Sequence, residues 1–543
     1  MRIKIISLAV ATVLLVCGVG VGVYFATIHG RGDNLGDKKE SNPTLNPAIV
    51  SVDIMPFTGS FFTGKIYKLH ANVVATDNAN DGIKWEICDE DIATICQDGY
   101  ITAIKLGTVT ITATSVFDDY FYDTIEIDIR YTGINNTEQL RAMTRNGNYL
   151  LLNDIDLEEM VWSPMFNTVA NSFIGTLNGN GFTLSNYTIN MTSINHFRYG
   201  FFGEIGTGGN VRDLTLENFS VFQIVSSTSP RHIYFGAIAG RNSGTVTNVN
   251  IDSDFFLNMP TMGSGNFNAR ASKNVGGIVG LNLAQGIVQD SSVIGEMSTR
   301  FMAVEGVINV GGIVGSNNGT IRGCWTNVEI NIELLQRPGS GNLFWAGPGT
   351  SAVGGIVGRV SAGHIENCFA LGNISEGTTT GHALSRIIGG FVGIVLPENN
   401  ANPVIKNGFS MGNITGVEVA RIRLGGFAGD IFGGQISNVF TGGNILFKDT
   451  RHFTAPHHHS IGGFVAGTGA FPVSETSFRL NSQSITIQGP TPQNINGAPN
   501  TFGTGINAED MDEHFFTQTL GWSSKIWDLS DIDISSGQLP MLL

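Results

Sequence analysis

Charge is what this chain has least of. Asp, Glu, Lys and Arg make up 14% of its 543 residues, where soluble domains carry roughly 25%, a composition unsuited to helices. Basic residues are in deficit too: 30 Lys and Arg against 45 Asp and Glu leave a net charge of −15. With no basic patch to offset it, this disfavours nucleic acid or an anionic membrane surface as the main partner. Five cysteines, Cys17, Cys88, Cys96, Cys324 and Cys368, are too few for a disulfide scaffold and show no CxxC metal spacing. No Gly-x-Ser-x-Gly nucleophile elbow occurs either.

Glycine is abundant instead, at 71 residues, about double the usual share. Much of it is written in one phrase. Clusters begin at Gly200, Gly236, Gly276, Gly311, Gly354, Gly389, Gly425 and Gly462, in steps of 35 to 43 residues. The fullest copies are Gly276-Gly277-Ile278-Val279-Gly280, Gly311-Gly312-Ile313-Val314-Gly315 and Gly354-Gly355-Ile356-Val357-Gly358. A fixed period of this size is the signature of a repeat architecture.

The columns align on an apolar anchor after each cluster: Val211, Val246, Val288, Ile321, Ile365, Ile405 and Ile436. Two positions later stand Asp213, Asn248, Asp290, Gly323, Asn367, Asn407 and Asn438, which predicts a left-handed backbone with amides stacked along the column. Four positions after the anchor, Trp325, Phe369, Phe409 and Phe440 are expected to stack in the interior about 4.8 Å apart. Eight positions after it come Asp254, Glu296, Glu329, Asn373, Asn413 and Asn444. If each repeat makes one rung, Glu296 and Glu329 lie about 5 Å apart, a spacing suited to a retaining glycosidase or to Ca²⁺; otherwise they are acids on a solvated face. Cys324 and Cys368 share a further column, where one rung per repeat permits a disulfide and two rungs forbid it. His452, His457, His458 and His459 form a histidine cluster, either a Zn²⁺ or Cu²⁺ site or a solvated loop. Asn258 to Lys273 and Leu335 to Ser351 are excursions of the sort that gather on one face of a solenoid.

Ile5 to Ile28 is uncharged and mostly apolar after Arg2 and Lys4. It is long enough for a signal anchor with the bulk of the chain outside; a cleaved signal peptide and a lipidated Cys17 are the alternatives. Residues 1–30 are therefore expected to export the chain, and 31–47 to be a polar linker containing an incidental Arg31-Gly32-Asp33. From 48 to 131 short strands alternate apolar and polar residues, as in a β-sandwich. Gly64, Trp85, Asp91 to Ile95, Gly99 to Ala103 and Gly107 to Ala113 make this stretch resemble the group 2 bacterial immunoglobulin-like domain of surface proteins, which implies a spacer. Cys88 and Cys96 flank its Asp89 to Asp91 turn and are a candidate disulfide after export.

Asn136 to Met143 reads as a capped helix. The run from Tyr149 through Trp162 and Phe173 to Leu184, followed by the glycine clusters, resembles proteins carrying the GLUG repeat. That resemblance implies a parallel β-solenoid in a bacterial surface protein; such repeats also form non-catalytic parts of IgA1-specific metallopeptidases. No His-Glu-x-x-His occurs, so peptidase activity is not implied. The expected organisation is a solenoid cap at 132–198, repeats at 199–488 and a C-terminal cap at 489–543, with the helix near Leu140 and the last segment covering the two ends. The fold class is all-β, an immunoglobulin-like β-sandwich followed by a parallel β-helix. The expected function is an exported adhesin or ligand-binding protein, with host or neighbouring-cell glycans or proteins as partners and no cofactor. A β-helix polysaccharide lyase or glycoside hydrolase and a purely structural envelope protein are the alternatives.

Overall fold

The computed structural model describes residues 47–76, 78–192, 197–222, 232–259, 272–302, 307–335, 350–377, 385–417, 421–448, 458–468, 474–489 and 502–543. The proposed anchor, Cys17, the polar linker, His452 and His457 lie outside them, as does most of each expected excursion.

The chain begins as a β-sandwich. Strands β1 (Ala48–Ile54), β2 (Phe61–Thr63), β3 (Ile66–Lys68), β4 (Ala71–Thr76), β5 (Ile83–Ile87), β6 (Ala93–Ile95), β7 (Tyr100–Ala103), β8 (Gly107–Ser115) and β9 (Tyr122–Ile134) alternate buried and exposed residues. Antiparallel β5-β8-β9 faces β3-β7-β6 around Trp85, Tyr67, Ile101, Ile111 and Ile127. The sandwich passes into the next unit without a linker. The first part of β9 pairs with β8, and its last residues, Thr132 to Ile134, pair in parallel with β10 (Asn148–Leu151). The expected boundary at 131/132 falls inside this strand. Helix α1 (Thr137–Arg141) lies between the two; Asn136 caps it by accepting from the Gln139 N–H at 2.9 Å, and Leu140 inserts into the end of the solenoid core.

From there the chain winds into a stack of parallel strands, one rung per repeat. Gly276 pairs with Gly311 and Gly311 with Gly354; Val288 pairs with Ile321 and Ile321 with Ile365. Each rung crosses three sheets. Two are eight-stranded and joined by the glycine clusters: the first runs from Arg198–Tyr199 to His458–Gly462, the second from Phe202–Ile205 to Val465–Thr468. The third is a long sheet continuous with β9 and β10. Eight rungs at about 4.8 Å each give a shaft of roughly 40 Å.

The glycines are there for close approach. A Cβ on Gly355 would sit 2.3 Å from the Gly390 carbonyl oxygen on the next rung and 2.6 Å from the Ala370 Cβ. The last glycine of each of the six clusters from Gly240 to Gly429 brings the two glycine sheets together: a Cβ on Gly315 would lie 2.6 Å from the Val275 nitrogen, and one on Gly358 2.6 Å from that of Val310.

Two ladders of polar side chains tie the rungs at their corners. Asp213, Asn248, Asp290, Asn367, Asn407 and Asn438 all hold φ between 50° and 58°, with Gly323 at 60°, as their shared column predicts. Asn248 donates to Asp213 at 2.9 Å, Asn407 to Asn367 at 3.2 Å and Asn438 to Asn407 at 3.3 Å. A second ladder escaped the column alignment. Asn242, Asn282 and Asn317 are fully buried, Asn242 donating to Asn282 at 2.9 Å and Asn282 to Asn317 at 2.8 Å. Buried amides that satisfy each other and the turn backbone in this way fix the register between rungs.

The aromatic column is largely buried, but outside the main solenoid core. Trp325, Phe369, Phe409, Phe440 and Phe478 are paired rung to rung on the outer side of the long sheet and stack at 5.7, 5.0 and 4.8 Å over the first three steps. They form a core separate from the main one, sealed by the C-terminal segment. That segment first adds Thr504–Ile506 as a strand beside Ser477–Leu480. It then folds back down the side of the shaft. Trp522 and Trp527 stack on each other at 4.3 Å, with Trp522 6.0 Å from Phe440 and Trp527 6.1 Å from Phe369. The Trp522 indole N–H donates to the Asn438 carbonyl at 3.0 Å. The expectation that this segment only covers the end of the solenoid is thus too narrow, since most of it is a lateral strap.

Candidate functional site

The acid row stands where the alignment places it, with Glu296 paired in register with Glu329. Its side chains are engaged in holding one rung to the next. Asp254 Oδ1 accepts the Glu296 N–H at 2.7 Å, and Glu329 Oε1 accepts the Asn373 side-chain N–H at 2.9 Å. The row continues the same way: Asn373 accepts the Asn413 N–H at 2.8 Å, Asn413 that of Asn444 at 2.9 Å, and Asn444 that of Ser484 at 2.8 Å. Glu296 accepts from Ser298 at 2.5 Å and from Asn331 at 2.9 Å. These two hydrogen bonds hold its carboxyl below the usual range. A glycosidase acid needs the opposite, a carboxyl raised by burial or by a neighbouring charge. Among the described residues no three His, Cys, Asp or Glu side chains converge as a metal site.

The cysteines correct a second expectation. Cys88, Cys96, Cys324 and Cys368 are all free thiols. Cys324 and Cys368 are buried on adjacent rungs, as a one-rung repeat requires, but each turns back to the carbonyl two residues before it, at 3.3 and 3.2 Å. In-register neighbours on parallel strands lie near 4.8 Å apart, within the Cα separation a disulfide allows, so the orientation of the thiols and not the rung spacing leaves them unlinked. Burial raises the Cys368 thiol well above its ordinary value. Cys88 and Cys96 are exposed and follow strands of opposite sheets of the sandwich, β5 and β6. Of the histidine cluster, His459 is buried with its ring 5.1 Å from Phe447.

Between the two glycine sheets lies a narrow second interior that the sequence did not announce. Its facing columns meet at Arg198 and Glu204, at Tyr234 and Arg241, at Ile387 and Ile394, and at Arg423 and Asp430. Further ionic groups are buried on the core side of the first glycine sheet. Arg386 pairs with Glu376, and Lys273 is 6% exposed with its ammonium 5.6 Å from the Phe301 ring. Burial lowers Lys273 to about 8 and Arg386 to about 9.

Residues 48–117 match the bacterial Ig-like domain (group 2), and residues 349–375 match the GLUG motif. The chain thus carries a group 2 bacterial Ig-like domain followed by a GLUG motif within its repeats. It is 30% identical over 159 residues to halomucin of Haloquadratum walsbyi, a match covering 28% of this chain and 2% of that protein. It is 34% identical over 110 residues to a putative Gly-rich membrane protein of Evansella cellulosilytica, covering 19% and 12%. It is 36% identical over 112 residues to a 3-O-alpha-D-galactosyl-alpha-L-arabinofuranosidase of Bifidobacterium longum, covering 21% and 10%. The chain thus spans an eighth or less of each of these relatives. Among solved structures, a putative immunoglobulin A1 protease from Bacteroides ovatus aligns over 76% of this chain and 91% of its own at 16% identity, with a TM-score of 0.37.

Proposed function

We propose that this chain is a cell-surface protein whose solenoid serves adhesion or ligand binding without catalysis. Its Ig-like and GLUG elements, and its likeness to a Gly-rich membrane protein, support the location. One observation carries the non-catalytic reading: the row best placed to supply a carboxylate pair uses its oxygens for hydrogen bonds between rungs. Its partners are glycans or proteins of a host or neighbouring cell, met along the shaft through many weak contacts. Export through the N-terminal segment is part of the same proposal; among the described residues no helix is long and apolar enough to cross a membrane.

The partial likeness to an arabinofuranosidase makes glycoside hydrolysis the reading to test against. The purified chain is applied to a glycan array and, in parallel, to a panel of polysaccharides with release of reducing ends as the readout. Saturable array binding, with no release by the wild type or by Glu296→Gln and Glu329→Gln, is the expected result. Release that disappears in either variant overturns it.

A further inference from the structure

The mouth of the interior between the glycine sheets holds a charge imbalance. Arg198 Nε approaches Glu204 Oε2 at 3.0 Å, and Arg241 Nη1 approaches the same oxygen at 3.9 Å. The other arginines of the glycine sheets just described each have their own acid: Arg386 has Glu376 and Arg423 has Asp430. Here two guanidinium groups share one carboxylate, leaving one positive charge uncompensated among the described residues, in a chain of net charge −15. The pair is crowded, since burial and the Arg241 charge both lower the pKa of Arg198 against the pull of Glu204. The arginine side chains are 20% and 19% exposed, and the Glu204 side chain 4%, so solvent reaches the cations while their shared acid sits beneath them. Aromatic rings border the charge: the Arg241 guanidinium lies 5.6 Å from the Tyr234 ring, and Tyr234 stacks at 6.3 Å on the exposed His232. His232 is held by Ser272 on the next rung at 2.7 Å.

From this arrangement we infer a subsite for the carboxylate of an acidic sugar, a uronate or sialate residue within a glycan. The guanidinium edge of Arg241 pairs with the carboxylate, and the exposed His232 ring, backed by Tyr234, takes the apolar face of the pyranose. Rung stacking preorganises both, because Arg241 and Glu204 are register partners, as are Tyr234 and Arg198. The inference rests on the proposed binding role and names its ligand class.

The test uses uronate- and sialate-bearing oligosaccharides, each beside its carboxyl-reduced form, titrated into the folded protein by calorimetry. Wild type binds at least one acidic glycan about tenfold or more tightly than its reduced form, as one charge-assisted contact allows. Arg241→Gln removes the surplus charge while leaving the Arg198–Glu204 pair intact. It abolishes the preference with an unchanged melting temperature. Glu204→Gln raises the surplus and widens the preference. A wild type with no carboxylate preference, or a preference that survives Arg241→Gln, overturns the subsite. Binding confined to neutral glycans and unaffected by either variant would do so while leaving the adhesion reading in place.

Discussion

Lys273 shows what a single buried residue does to the stability of such a stack. Its ammonium is enclosed by the core, and burial lowers its pKa from 10.5 to about 8. At any pH between those values the unfolded chain binds more protons at this site than the folded one, so stability rises with pH there. The penalty is fully present below about 8 and relieved above the unfolded value. Lys273→Met should therefore raise the neutral-pH stability by about 3 kcal/mol, with the advantage fading as the pH rises from about 8 to 10.5. Urea unfolding at pH 7 and pH 10 measures it; an equal difference at both would refute the assignment. Residues of this kind were hidden in the sequence for a simple reason. Lys273 stands two residues before Val275 in a run that reads as a strand edge, and alternation alone does not say which side of the first glycine sheet is core. The left-handed asparagine column, by contrast, was readable because Asn, Asp and Gly tolerate that conformation in common.

At the scale of elements, the aromatic column carries the clearest lesson. Alignment found the right residues and the right register but put them on the wrong side of the sheet. One feature of the column points the other way. Upstream it holds Thr183, Thr215, Asn250 and Ser292, register partners leading to Trp325. An outward column that turns from polar to aromatic partway along a solenoid needs something to cover it from there on, and the strap containing Trp522 and Trp527 does so. Trp527 is 1% exposed, so Trp527→Ala should cost about 3 to 5 kcal/mol. The loss should be local: hydrogen exchange quickens across 502–543 and in the strands from Trp325 to Phe478, while the rungs between Val211 and Val288 keep their protection. Uniform loss along the whole shaft would mean that the strap is part of the main core after all.

Across the whole molecule, β9 decides how the two units behave. A strand that gives one end to a sandwich and the other to the first rung leaves no hinge between them, so the spacer and the shaft form one continuous object. Inserting Gly-Ser-Gly-Ser between Arg130 and Tyr131 breaks that sharing. Calorimetry should then resolve two unfolding transitions where the natural chain shows coupled unfolding; one unchanged transition would count against it. The strap has a consequence of another kind, in the order of synthesis. Rungs can zip as each repeat leaves the ribosome, but the five rings of the outer ladder stay wet until the strap within 502–543 arrives. A copy whose translation stops before the strap would carry a finished shaft and a bare greasy stripe, recognisable to any protease or chaperone that surveys exposed apolar surface. Arrival of the strap is thus written on the outside of the shaft.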